Sequence, residues 1–380
     1  MKLIPDRIST LLNLSAAQIA LNKFSDAIAN LSTAIKIDMN CAEAYLNLGL
    51  IQVKLKNFES ACQHFIEAIK FNPNYPEAWS NKGNALNELK RHEEVIASYE
   101  QAIKLNPKET PFLGNLLHFK MVIAQWDRFS YDLETITSKV ALGQDVSEPF
   151  PLPSLLDDPS LHLMAAETVV NNKFPSKNTL PPISRNSHSK IRIGYFSPDF
   201  KSHPLLMAEL FELHNRNRFE TYAFSLQPAN QNDPLRQRLL NAFDHFLNVE
   251  NKLDLEIAQL SRDLKIDIAI NLGGHTQNSR MGIFSYRATP IQVNYLGYPG
   301  TSGANYIDYI IGDKILIPTH SQKFYTEKVV CLPNSYMVDN SIRLPSTKQL
   351  TKNDFGLPDN KFIFCCFNNS YKFNPQTLQS

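Results

Sequence analysis

The sequence predicts an α-helical solenoid joined to a parallel α/β lobe, on three observations. Its first hundred or so residues repeat with a period of 34, a polar segment with three prolines follows at Asn171–Ser189, and from Lys190 short apolar runs alternate with helical patterns. At 380 residues, 43% of them apolar, the chain is long enough for two or three cores.

The repeat is visible when Arg7–Asn40, Cys41–Asn74 and Tyr75–Lys108 are set in register. The columns Leu11/Tyr45/Trp79, Ser15/Gly49/Gly83, Ala27/Ala61/Val95, Leu31/Phe65/Tyr99 and Ala34/Ala68/Ala102 then agree, and Pro73 and Pro107 close the last two repeats. A large residue, a small residue where two helices cross and a closing proline make the tetratricopeptide pattern. Each repeat is a helical hairpin that cannot bury its apolar face alone, so stacking makes a short superhelix with a concave groove. One column is polar: Asn13, Asn47 and Asn81. Three carboxamides in register can donate to and accept from the backbone of an extended polypeptide, or each can bond its own neighbouring turn.

Beyond Lys108 the period fades. A helix over Pro111–Trp126 caps the array, Phe129–Val140 offers another, Glu148–Pro159 reads as a proline-rich loop and Ser160–Val170 as a helix, so 109–170 are capping and connecting helices and 171–189 a linker. From Lys190, strands are expected at Ile191–Phe196, Glu220–Leu226, Asp267–Leu272 and Ile291–Leu296, with helices at Leu205–His214, Pro234–Phe243 and Leu253–Leu264 between them. Such alternation implies βαβ units and a parallel sheet covered on both faces. Further strands are expected at Tyr306–Ile311, Lys328–Leu332 and Phe362–Phe367, the last one buried.

Three turns follow strands: Ser197–His203, Gly273–Arg280 and Gly297–Gly303. A parallel sheet brings all three to its carboxyl edge, where ligands of open α/β sheets sit. They offer Asp199, His203, His275, Arg280, Thr301 and Ser302, with glycines at 273, 274, 297, 300 and 303 permitting close backbone approach. A histidine taken singly is more often structural or solvated; the shared edge is what singles out His203 and His275. Lys372, in FNNSYKFNP, can neutralise a phosphate, although by composition it reads as a solvated lysine at a strand end. No GxGxxG, Walker or HExxH spacing is present, which argues against a dinucleotide fold, an NTPase and a metalloprotease.

Charge and cysteine usage narrow the class further. Lys plus Arg number 38 against 37 for Asp plus Glu, so no charge excess points to nucleic acid or an anionic membrane. The five cysteines lack CxxC spacing and read as reduced thiols in a cytoplasmic protein.

The order of tetratricopeptide repeats, IRIGYFSPDFKSHP, IDIAINLGGHTQNSR, TPIQVNYLGYPGTSGANYIDYIIGD, YTEKVVCLPNSY and FGLPDNKFIFCCFNNSYKFNP resembles the O-GlcNAc transferase and SPINDLY family of protein O-glycosyltransferases, in its bacterial type. The resemblance implies a GT-B arrangement of two Rossmann-like lobes and an inverting, metal-independent transfer of a sugar, GlcNAc from UDP-GlcNAc, to Ser or Thr hydroxyls of proteins fed in by the superhelix. It assigns His203 and Asp199 to the acceptor hydroxyl and Lys372 to the departing diphosphate. His275, Arg280, Leu296, Gly297, Pro299, Gly300, Thr301 and Asn369 go to the donor, and Asn13, Asn47 and Asn81 to the acceptor peptide. Two places depart from the animal enzymes, which carry Thr and His where Leu205 and Met207 stand. In the family a second lobe follows the lysine, so on this reading residues 190–380 are the first lobe, half an active site, and inactive alone. Alternatives are a protein O-fucosyltransferase using GDP-fucose and a repeat scaffold with a non-catalytic lobe.

Overall fold

The computed structural model describes residues 4–107, 112–183, 188–200, 206–228, 233–341, 347–366 and 368–379. The chain forms two compact units, one of Met1–Pro175 with Gly300–Ala304 and Ser370–Ser380, the other of Ser176–Pro299 with Asn305–Asn369. No helix among the described residues is long and apolar enough to cross a membrane.

The first unit is helical. Its repeats are the hairpins α1 (Ile4–Ala20) with α2 (Phe24–Ile37), α3 (Ala42–Lys54) with α4 (Phe58–Phe71), and α5 (Pro76–Glu88) with α6 (His92–Leu105). Second helices start at Phe24, Phe58 and His92, one sequence period apart, and each hairpin turns through a left-handed residue, Asn22, Lys56 or Lys90. The apolar columns are the core: Ala27, Ala61, Val95, Leu31, Phe65 and Tyr99 are all at most 1% exposed. The small column admits the large one from the second helix, but unequally. A Cβ on Gly49 would lie 2.4 Å from Cε1 of Phe65, and one on Gly83 3.4 Å from Cε1 of Tyr99.

Behind the repeats come α7 (Leu113–Val122), α8 (Phe129–Ala141), α9 (Leu152–Leu155) and α10 (Pro159–Lys173). The stretch expected as a loop therefore contains one helical turn, α9, started by the fixed φ of its prolines. Asp158 caps α10, accepting from the N–H groups of Ser160 at 2.9 Å and Leu161 at 3.3 Å. The 3-10 turn Ser370–Lys372 lies against α7 and α9, and a short helix, Pro375–Gln379, follows it. Burial, reinforced by His92, pushes the imidazole pKa of His118 on α7 down to about 4, so it is held neutral.

The second unit is a seven-stranded sheet of β1 (Ile191–Ser197), β2 (Phe219–Ser225), β3 (His245–Asn248), β4 (Ile268–Asn271), β5 (Ile291–Tyr295), β6 (Tyr309–Gly312) and β7 (Lys328–Cys331), in the order β3-β2-β1-β4-β5-β6-β7. Every pairing is parallel. Helices α11 (Ala208–Glu212), α12 (Pro234–Ala242), α13 (Asp254–Asp263) and α14 (Gly282–Ser285) lie between strands. From Ile193 to Ser197 β1 is continuously buried, as in a strand covered on both faces. Phe196 and Phe224 stack at 4.2 Å with Phe284 edge-on, while Tyr195, Phe211 and Phe243 pack in the apolar cluster that includes Ile193, Ile270 and Val293.

Three expectations are corrected. β3 was not anticipated, because HFLN is too short and too polar at its ends to signal a strand. The first helix of the lobe is the short α11 among the described residues, shorter than Leu205–His214. Residues 362–366 form no strand, and Phe362 and Phe364 are 80% and 91% exposed. An apolar run becomes a strand only when a neighbour accepts its backbone hydrogen bonds, and no such neighbour lies beside it among the described residues.

Gly49→Ala is expected to lower the unfolding midpoint of the helical unit, because a buried ring must move, at about 1–3 kcal/mol. Gly83→Ala is expected to be neutral or stabilising, since relief of glycine's helix penalty, about 1 kcal/mol, meets ordinary contact. Denaturant melts followed by helical circular dichroism compare the two. A second melt series tests His118. Its depressed pKa means stability is fully present above the unfolded value of about 6.5 and is lost as pH falls toward about 4, by about 3 kcal/mol, and His118→Phe should remove that part of the acid sensitivity.

Candidate active site

The strand order reverses between β1 and β4, so the turns after β1, β4 and β5 surround the crevice that parallel sheets open at their carboxyl edge. Asp199 stands just after β1, exposed, with its N–H donating to Ser197 Oγ at 3.0 Å. His203 lies outside the described residues. Underneath this loop is Arg236 of α12, 1% exposed. It donates to the Phe200 carbonyl at 3.1 Å, to Ser225 Oγ at 3.2 Å and to Asn248 Oδ1 at 2.5 Å, and its guanidinium lies 4.1 Å over the Phe246 ring. One buried cation thereby ties the β1 turn to the ends of β2 and β3.

The turns after β4 and β5 touch through their backbones. A Cβ on Gly297 would stand 2.1 Å from the Leu272 carbonyl oxygen, and one on Gly274, which has φ +56°, would stand 2.7 Å from Cβ of Tyr298. Between them Leu296 holds φ +72° while the Gly297 N–H donates to the Tyr295 carbonyl at 3.0 Å. This is a three-residue turn with a non-glycine residue held at positive φ, a conformation that costs about 1–3 kcal/mol and is retained where the surroundings over-determine it. His275 meets the Tyr298 ring edge-on at 5.4 Å. Burial raises the Tyr298 hydroxyl pKa far above its ordinary value, and Tyr325, pushed up to about 12 by burial and then by Glu327, donates to the Pro299 carbonyl at 3.2 Å.

A buried polar chain supports both turns. Asn271, at the end of β4, accepts from the N–H groups of Gly273 and Gly274 at 3.2 and 3.3 Å and donates to Asn294 Oδ1 at 3.0 Å. Asn294 in turn donates to Glu327 Oε1 at 3.1 Å. All three residues are at most 4% exposed. Sequence reading missed this chain and Arg236. An asparagine closing each of two apolar runs, IAIN and IQVN, was the available signal for the chain; nothing sets Arg236 apart from Arg238 on the same helix.

The remaining candidates separate. Arg280 is turned to Asp254, donating from Nε at 2.7 Å, and to the Lys252 carbonyl at 2.8 Å, so it fastens the β4 turn to the start of α13. Gly300 and Thr301 group with the helical unit. There Thr301 is 2% exposed and accepts from the Gly303 N–H at 3.2 Å, and Gly303, at φ +67°, sits where a Cβ would stand 2.4 Å from the α10 backbone. Lys372 is exposed in the helical unit and Asn369 exposed in the other. Of the asparagine column, Asn13 is exposed and Asn47 buried, while half-buried Asn81 donates to the Glu77 carbonyl one turn back at 2.8 Å, the local alternative. A cavity of about 800 Å3 lined by Lys177, Pro181, Arg262, Tyr286 and Arg287 opens at the amino ends of β4 and β5, the opposite edge from these turns. Its arginines are spent on backbone carbonyls and on Asp308, so size alone does not make it the site.

Tetratricopeptide family models match residues 17–56, 42–75 and 76–109, and one described as glycosyl transferase family 41 matches residues 169–345. Residues 169–345 are thus similar to glycosyl transferase family 41. Similar curated proteins include the probable UDP-N-acetylglucosamine–peptide N-acetylglucosaminyltransferase SEC of Arabidopsis thaliana, 40% identical over 208 residues, 53% of this chain and 21% of that protein. The Caenorhabditis elegans UDP-N-acetylglucosamine–peptide N-acetylglucosaminyltransferase is 36% identical over 41% of this chain and 14% of its own length. SPINDLY of Arabidopsis thaliana, named as a probable enzyme of the same kind, is 30% identical over 50% and 21%. The chain thus spans about a fifth or less of these relatives. A mutant of Thermobaculum terrenum O-GlcNAc transferase shares the fold at a TM-score of 0.54 and 24% identity, over 89% of this chain and 59% of that one. The residues matched by the family 41 model include the turns after β1, β4 and β5, but not Lys372.

Gly297→Ala is expected to destabilise the lobe by at least about 1–3 kcal/mol, because the obstacle is backbone and cannot rotate away. Urea unfolding followed by tyrosine fluorescence measures it, with the midpoint lowered and the slope unchanged.

Proposed function

We propose that this chain is a member of glycosyl transferase family 41 and serves transfer of N-acetylglucosamine from UDP-GlcNAc to Ser or Thr hydroxyls of proteins. The observation that carries the reading is the strained Leu296–Gly297 turn closed on the β4 turn at the strand-order reversal, within the family 41 match. Such a turn presents backbone groups rather than long side chains, which suits a sugar approaching closely. The names of these relatives, all peptide N-acetylglucosaminyltransferases, support N-acetylglucosamine over fucose as the transferred sugar.

In this reading the acceptor oxygen bonds to the anomeric carbon as the bond from that carbon to the β-phosphate oxygen breaks. The hydroxyl proton passes to His203 or Asp199. Departing UDP gathers negative charge, which the Lys372 ammonium offsets; a preorganised group at such a position is worth about a hundredfold or more in rate. The repeat groove holds the acceptor polypeptide, with Asn13, the exposed member of the asparagine column, as the candidate backbone partner.

The test supplies the protein with radiolabelled UDP-GlcNAc or GDP-fucose and a cell extract of acceptor proteins. Transfer from UDP-GlcNAc is expected where the second lobe of the family is supplied as well, cut about a hundredfold or more by His203→Ala and by Lys372→Met, and residues 1–380 alone are expected to be inactive. Label arriving only from GDP-fucose would move the donor assignment, and wild-type transfer by both variants would sink the catalytic one.

A further inference from the structure

The turn that carries Lys372 has three helical residues, too few to hold itself in water, so its position depends on anchors outside it. Two belong to α7. Ser370 Oγ donates at 2.6 Å to the carbonyl of Val122, the last residue of α7, one of the end carbonyls that lack a helical partner. The Tyr371 ring lies 4.5 Å from the imidazole of His118, which also meets Phe119 and Phe150 edge-on at 5.7 and 6.3 Å. Tyr371 joins the apolar cluster of Leu117, Met121 and Leu152. His118 Nδ1 is buried without a hydrogen-bond partner among the described residues, so through that atom the ring serves packing alone.

We propose that His118 is a positioning residue for Lys372. By packing its ring against Tyr371 at a 49° tilt, beside the Ser370–Val122 hydrogen bond, it fixes the turn from which the lysine meets a nucleoside diphosphate. This rests on the role given to Lys372 above. Its consequence is that the capping helix of the repeat array, rather than the sheet, sets where the cation stands. What His118 contributes is a flat ring, so phenylalanine should replace it and alanine should not.

The experiment measures, in the full chain, deuterium uptake of the 370–379 peptide and affinity for UDP, for wild type, His118→Ala, His118→Phe, Lys372→Met and His118→Ala with Lys372→Met. His118→Ala is expected to raise uptake of that peptide and weaken UDP binding about tenfold, the loss of one charge-assisted contact. His118→Phe keeps both, and His118→Ala has no further effect on UDP binding once Lys372 is Met. Unchanged uptake in His118→Ala overturns the proposal, as does a UDP penalty that persists without the lysine ammonium. Should His118→Ala also raise uptake across α3–α6, Tyr371→Leu replaces it as the probe, with the same criteria. If Lys372→Met binds UDP like wild type, or wild type binds none, the role of the lysine fails while the uptake result still decides the anchoring.

Discussion

The carboxyl edge of the lobe depends on one contact of backbone with backbone, Gly297 against the Leu272 carbonyl. No side chain fits there. The approach lets the turns after β4 and β5 close on each other, forces Leu296 to positive φ and brings Tyr298 over Gly274. Because backbone atoms cannot change rotamer, the contact cannot relax by a side-chain movement. The strain at Leu296 is sustained by neighbours rather than by local preference.

Beneath that contact the polar chain Asn271, Asn294 and Glu327 does for the turns what Arg236 does for the β1 loop. In both cases buried groups satisfy backbone N–H or C=O positions that a tight turn leaves without a ladder partner. Such groups are costly to bury and costly to break, since removing one member strands the others in low dielectric. They convert loops, ordinarily the mobile part of a parallel sheet, into fixed elements.

The helical unit does more than hold repeats. It claims Gly300–Ala304, pressed to the α10 backbone through Gly303, and Ser370–Lys372, docked on α7. Two of the segments that the resemblance gives to the donor thus pack with α10 and α7 of the helical unit. Within the repeats, equivalence in sequence is not equivalence in packing: Gly49 and Gly83 share a column, yet only Gly49 has a ring inside contact distance.

The sequence by itself determined the repeats, their core columns, six of the seven strands and the turns that share an edge, because periodicity and strand-ending residues are local properties that survive without neighbours. The asparagine column was legible as a register but not as a ladder, for Asn81 bonds its own helix and Asn47 is buried while Asn13 is not. Only the tertiary structure decided that Arg280 faces Asp254, that Thr301 is buried with the helices and that 362–366 forms no strand among the described residues. It also supplied the strand order, β3, the polar chain and the hold of α7 on the Lys372 turn. All of these are set by residues distant in the chain, whose meeting no window of sequence contains: a strand needs an acceptor beside it, and a charge turns to whichever partner the fold brings within reach.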